Sequence, residues 1–193
     1  MPGRAEGGET TPPLPVVALC FYRALVQSGE TRPVEAMIEA LAAHGLRALP
    51  VFVSSLKDAV SVETLRSVFA EAPPSVVINA TGFAVSAPGA ERVSTVLDEG
   101  GAVVLQALFS SSTREAWEGS SQGLTARDLA MGVALPEVDG RVMTRAVSFK
   151  AAARYDARVE TNIVSHAPDE GRAAFVARLA ANWARLRSTP ASE

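Results

Sequence analysis

The sequence predicts an α/β fold in which helices flank a mainly parallel sheet. Three observations carry that expectation: continuous apolar runs of strand length, helix-period segments between them, and a regular alternation of the two along a 193-residue chain. Strands buried on both faces by crossover helices read as unbroken apolar runs. A strand–helix–strand rhythm closes into a parallel sheet through right-handed crossovers.

The first strand is "PVVALCFY", Pro15 to Tyr22. A helix follows in "TRPVEAMIEALAAHG", where Val34, Met37, Ile38 and Leu41 recur at i, i+3, i+4 and i+7, Thr31 stands at the start and Gly45 at the end. "RALPVFVSS" is the second strand. "SVETLRSVFAEA" is the second helix, with Ser61 as its expected cap and Val62, Leu65, Val68 and Phe69 on one face. "SVVINATG" and "GAVVLQALFS" are the third and fourth strands. "TARDLAMGVAL" then reads as a helix capped by Thr125, with Leu129 and Val133 on one face, and Pro136 is expected to end it. "GRVMTRAVSF" is a further strand. "PDEGRAAFVARLAANWARLRS" is a long helix whose expected stripe is Phe175, Leu179, Asn182 and Leu186, flanked by Val176 and Trp183.

Together these elements predict a Rossmann-like three-layer unit forming a single α/β domain over residues 15–188. Residues 1–14, polar and rich in glycine, proline and threonine, are expected to be a disordered leader, and residues 189–193 a flexible end. In such sheets ligands sit beyond the carboxyl ends of the strands. Here those ends are residues 23–31, 54–58, 79–88 and 110–117.

Composition narrows the function. A hydrophobic fraction of 48% and a net charge of −3 describe an ordinary globular chain without the basic excess of nucleic-acid or anionic-membrane binders. No apolar run is long enough to span a bilayer and no signal peptide is evident, so a cytoplasmic protein is expected. Of 18 basic residues only Lys57 and Lys150 are lysine, which reads as a compositional habit. Cys20 sits in an apolar run and reads as a buried thiol. His44 lies at a helix end and His166 in an expected loop, and neither forms a zinc-spaced cluster with the cysteine.

Motifs exclude several chemistries. "ATGFAVSAPGAE" follows a strand but matches neither G-x-G-x-x-G nor a P-loop, so nothing supports ATP or NAD binding. "SSSTREAW" lacks a G-x-S-x-G elbow and reads as a polar loop with an N-cap. Its Glu115 suits the first turn of a helix capped by Ser112 or Thr113. In "ALPEVDGR", Asp139 with Gly140 is explained as a turn, whereas nothing local calls for Glu137. On the residues alone, a turn remains the preferred reading of the pair.

Several stretches in the same order resemble the large subunit of aerobic cobaltochelatase. They are "FYRALVQSGETRPVEAMIEALAAHGLRALPVFVSSLKD", "VINATGF", "SSTREAW", "GLTARDLAMGVALPEVDGR" and "RAVSFK". The related large subunit of magnesium chelatase is similar in its leucine-proline-glutamate turn followed by Asp-Gly. The resemblance covers roughly residues 16–188, and family members are several times longer, so the chain resembles an internal segment or truncated copy, one not expected to complete catalysis alone.

The resemblance implies a tetrapyrrole-binding subunit that inserts Co²⁺, its substrate metal, into hydrogenobyrinic acid a,c-diamide in cobalamin biosynthesis. It implies AAA+ and integrin-I-domain partner subunits that hydrolyse ATP, which this chain would not bind, and contact with the rest of the large subunit. A non-catalytic scaffold or docking module and a magnesium chelatase segment are the alternatives. Within this reading Glu137 is the expected proton acceptor and transient metal ligand, because a carboxylate can take pyrrolic protons and release a divalent ion readily. Asp139 is expected to support it. Arg23 and Arg114 are expected to meet carboxylates of the substrate, and Phe83 and Trp117 to stack on the macrocycle.

Overall fold

The computed structural model describes residues 13–188 except residue 159. The expected leader and flexible end therefore lie outside the described residues, apart from Pro13 and Leu14. Among the described residues six strands form one sheet: Val16–Tyr22 (β1), Arg47–Val53 (β2), Val76–Asn79 (β3), Val103–Thr113 (β4), Val142–Asp156 (β5) and Thr161–Pro168 (β6). Their order is β2-β1-β3-β4-β5-β6. Every pairing is parallel except that of β5 with β6, which is antiparallel. The expected α/β unit with a mainly parallel sheet is what forms.

The helices are Arg23–Ser28 (α1), Arg32–Ala43 (α2), Ala59–Glu71 (α3), Arg114–Glu118 (α4), Ala126–Leu129 (α5), Leu135–Val138 (α6) and Glu170–Ser188 (α7). Alternate residues of the central strands feed two cores. Val17, Leu19, Phe21, Val76 and Ile78 pack on α2 and α7. Ala18, Cys20, Val77 and Val104 pack with Leu65 of α3. Because the chain passes to one face after β1 and to the other after β2, a cleft opens beyond the carboxyl ends of β1 and β3.

Local chemistry moves several expected boundaries. Asp58, not Ser61, caps α3: its carboxylate accepts from the Ser61 N–H at 2.9 Å and from the Ser61 hydroxyl at 2.7 Å. Three residues earlier than expected, this cap leaves Ser61 buried beneath Ser54. The "SSST" stretch is the end of β4 rather than a loop, and Thr113 caps α4. His166 lies in β6, an edge strand too polar to show an apolar run. In α7 the buried stripe is Ala173, Val176, Ala177, Ala180, Ala181 and Ala184, while Asn182, Trp183 and Leu186 are exposed. Small side chains let the helix lie close to the sheet and to α2, so volume rather than hydrophobicity selected the inward face.

The largest departure concerns Pro136. It does not end the helix: α5 runs through a π-helical segment, Ala130–Ala134, into α6. The Leu135 N–H donates to the Ala130 carbonyl five residues back. Under that spacing the Met131 carbonyl would face the nitrogen of Pro136, which has no hydrogen to give. The N–H of Phe83 donates to it instead, at 3.0 Å. The inward face of this helix therefore carries Asp128, Gly132 and Pro136, all buried, and leaves Leu129 exposed.

Close approach at this junction requires glycine. A Cβ on Gly82 would lie 2.9 Å from the Met131 carbonyl oxygen, which is backbone and cannot swing away. Gly82→Ala is expected to destabilise the chain by about 1–3 kcal/mol, measured by urea unfolding. An unchanged midpoint would show that the loop does not hold the π segment in solution.

Candidate functional site

The site is built on Asp139. Its side chain is fully buried and ion-paired to Arg141 at 2.6 Å. It also accepts the N–H groups of Val85 at 2.8 Å and Ser86 at 2.9 Å. Burial works to raise its pKa, but these N–H groups and the Arg141 charge hold it below the usual carboxylate range. Arg141 in turn donates to the Phe83 carbonyl at 3.2 Å. A turn from α6 to β5, with Gly140 at φ 72°, thus fixes the loop that leaves β3. Phe83 itself is held at φ 66°, a left-handed conformation uncommon for a bulky residue.

Phe83 is the ridge between two cavities. The first, of about 370 Å³, lies beyond β1, β3 and β4 and is bordered by Tyr22, Gln106, Phe109, Asp128 and His166. The second, of about 410 Å³, is bordered by Tyr22, Ser55, Lys57, Ser86 and Arg141. The Tyr22 hydroxyl donates to the Gly82 carbonyl at 3.1 Å between them. Both fall at the strand ends where the fold class places a ligand.

The first cavity has a carboxylate and an imidazole in its wall. Asp128 is buried and accepts from the Ser110 hydroxyl at 2.6 Å, the Ser111 hydroxyl at 2.8 Å and the Ser111 N–H at 3.1 Å. His166 packs against Phe109 with ring centroids 5.9 Å apart. Its Nδ1 lies 3.1 Å from the Ser148 hydroxyl. Burial, with the Lys150 charge, lowers its pKa to about 4, so the ring is neutral. Lys150 pairs with Glu30 at 2.8 Å and holds that carboxyl below its ordinary range. Asn79, Thr81 and Gln106 form a buried hydrogen-bonded network below the cavity.

The residues selected from sequence are dispersed. Phe83 and Asp139 meet through Arg141. Glu137 is exposed on α6 and borders neither principal cavity. Arg23 borders a separate cavity with Phe52, Ser54 and Asp58. Arg114 is ion-paired to Asp169 and lies over the Phe149 ring. Trp117 packs on the same ring, 5.2 Å away, beneath Arg172. Those two residues fasten α4 and the start of α7 to β5. Sequence reading missed Tyr22, Asp128, Arg141 and His166. The i, i+4, i+8 spacing of Asp128, Gly132 and Pro136 was the available signal for Asp128. Among the described residues no group of three or more His, Cys, Asp or Glu side chains could hold a metal ion, and no helix is long and apolar enough to cross a membrane.

Comparison with known proteins gives a consistent result. The family model described as CobN/Magnesium Chelatase matches residues 4–193. The chain is 69% identical over 179 residues to the aerobic cobaltochelatase subunit CobN of Sinorhizobium sp, covering 93% of this chain and 14% of that protein. It is 41% identical to the subunit of the same name from Pseudomonas aeruginosa, with the same coverage. The fold matches the catalytic subunit of cobaltochelatase from Mycobacterium tuberculosis with a TM-score of 0.72 and 31% identity, covering 97% of this chain and 16% of that one. The chain thus spans about one seventh of the length of these curated relatives.

Two outcomes follow from the geometry. Asp139→Asn leaves the buried Arg141 uncompensated and is expected to cost about 3–5 kcal/mol in chemical unfolding; a loss within error would show that the pair does not fix the loop. His166 is neutral in the fold down to about pH 4 but titrates near 6.5 when unfolded. The unfolded chain therefore takes up the proton first on acidification. Stability from this residue is complete above about pH 6.5 and lost as pH falls towards 4. Urea unfolding between pH 4 and 7.5 should show that slope, and His166→Gln should flatten it.

Proposed function

The chain belongs to the CobN/magnesium chelatase family, and on that premise we propose that it forms part of the tetrapyrrole-binding subunit of an ATP-dependent, cytoplasmic metal chelatase. The metal is Co²⁺ and the acceptor hydrogenobyrinic acid a,c-diamide, with AAA+ and integrin-I-domain subunits hydrolysing ATP. The observation that carries this reading is the first cavity, which sets a buried carboxylate and a neutral imidazole beside aromatic walls at the strand ends.

Insertion of a metal requires removal of pyrrolic protons while the ion exchanges water for nitrogen ligands. The macrocycle supplies those nitrogens, so the chain needs proton acceptors more than a full set of metal donors. Asp128 and His166 stand where a flat ring would pack against Phe109 and Phe83. When the Ser148 hydroxyl donates to the Ala167 carbonyl, 3.2 Å away, His166 Nδ1 carries the imidazole hydrogen and Nε2 keeps its lone pair. Glu137 is the second candidate acceptor and transient metal ligand, with Asp139 fixing the turn beside it. Exposed on α6, Glu137 acts in this reading on a ring that extends beyond the cavity, or together with groups from the rest of the subunit. Arg23, Arg114 and Trp117 remain candidate substrate contacts on the same terms.

A scaffold or docking role is the second reading, and the exposure of Glu137 favours it. Substitutions matching Glu137→Gln and Asp128→Asn in a full-length relative separate the two, with tetrapyrrole binding and cobalt insertion measured independently. A proton acceptor is expected to lose about 100-fold or more in insertion with binding retained. Full insertion in both variants would leave only the scaffold reading. Parallel assays with Mg²⁺ test the choice of metal.

A further inference from the structure

We propose that the second cavity is a carboxylate-binding compartment for a side arm of the macrocycle; this rests on the reading that a tetrapyrrole occupies the neighbouring cavity. Two cationic side chains, Lys57 and Arg141, border the compartment, and no Asp or Glu does. Tyr22 and Ser55 add hydroxyls to its wall. Arg141 is the floor. Its Nη1 and Nη2 are engaged by the Phe83 carbonyl and Asp139, while Nε has no partner, alone among buried side-chain nitrogens and oxygens of the described residues. A buried donor left unpaired is costly, so this guanidinium keeps hydrogen-bonding capacity that the fold does not use.

The carboxylate paired with Arg141 cannot compete for a ligand's place. Both Asp139 oxygens are occupied by the Val85 and Ser86 N–H groups, and one also by Arg141. Lys57, exposed at the rim, supplies a mobile positive charge without an acidic neighbour in the wall. A guanidinium below and an ammonium above suit a planar anionic group of the size of a carboxylate. Position points to the same ligand. Only the Gly82–Phe83 ridge and Tyr22 separate this compartment from the first cavity, and all three residues border both. A ring lying against Phe83 would carry its peripheral groups over the ridge. Arg23 and Arg114, expected from sequence to play this part, border neither compartment.

The test uses the chain with two soluble probes: uroporphyrin, with free carboxylate arms, and the same macrocycle with its arms capped as short uncharged polyether amides. Fluorescence quenching should show the free acid bound at least about 10-fold more tightly. Lys57→Ala should weaken the acid about 3–10-fold, and Lys57→Glu further, with no change for the capped probe. Arg47→Ala, a charge change at the amino end of β2, controls for non-specific attraction and should alter neither affinity. Arg141→Gln is compared only where its unfolding curve remains cooperative; the exposed Lys57 variants decide the matter without it. Equal affinity for both probes, or an acid affinity indifferent to Lys57→Glu, overturns the compartment while the macrocycle reading stands. Binding of neither probe overturns both.

Discussion

The buried pair of Asp139 and Arg141 is the interaction on which the cleft depends. A carboxylate removed from water needs every lone pair occupied and its charge compensated. Asp139 meets that demand with two backbone N–H groups from the loop after β3 and a guanidinium from the residue just before β5. The loop therefore cannot relax independently of the sheet. Arg141 extends the restraint to the Phe83 carbonyl, and the Phe83 N–H is taken by Met131. Both polar groups of one peptide-flanked residue are thus fixed by elements more than forty positions downstream.

This arrangement gives the strained Phe83 a purpose. Left-handed backbone at a bulky residue persists where surrounding contacts over-determine it, and such positions concentrate at ligand sites. Here the strain raises an aromatic ring between two compartments of different character. One carries Asp128 and neutral His166; the other carries Lys57 and Arg141. The π-helical segment belongs to the same construction, since it frees the carbonyl that accepts Phe83.

Much of the fold was legible in the chain. The apolar runs of β1 and β3, the amphipathic faces of α2 and α3 and the carboxyl-end cleft follow from patterns that buried parallel strands and their crossover helices must show. The site was less legible. In "ALPEVDGR" the acid that local rules explained, Asp139, became the buried anchor, and the acid they left unexplained, Glu137, came to lie on the surface. A turn residue and a buried ion partner look identical in sequence, because the partner N–H groups lie more than fifty residues away. The α7 stripe failed for a related reason: periodicity marks several possible faces, and only the space between α2 and the sheet chose the alanine one. His166 was hidden because an antiparallel edge strand alternates with polar residues.

By itself, the sequence determined the class of fold, the order of its central elements, the ends of the strands where a ligand would be received, and the resemblance that marked the family. These depend on hydrophobic periodicity and motif order, which are local or additive along the chain. Tertiary structure alone decided which carboxylates are buried, which arginines are committed to packing, and that Phe83 divides the cleft. Those outcomes depend on distances between residues far apart in the chain. The free energy of a buried charge is set by its partners in space, and no local pattern encodes where those partners will be.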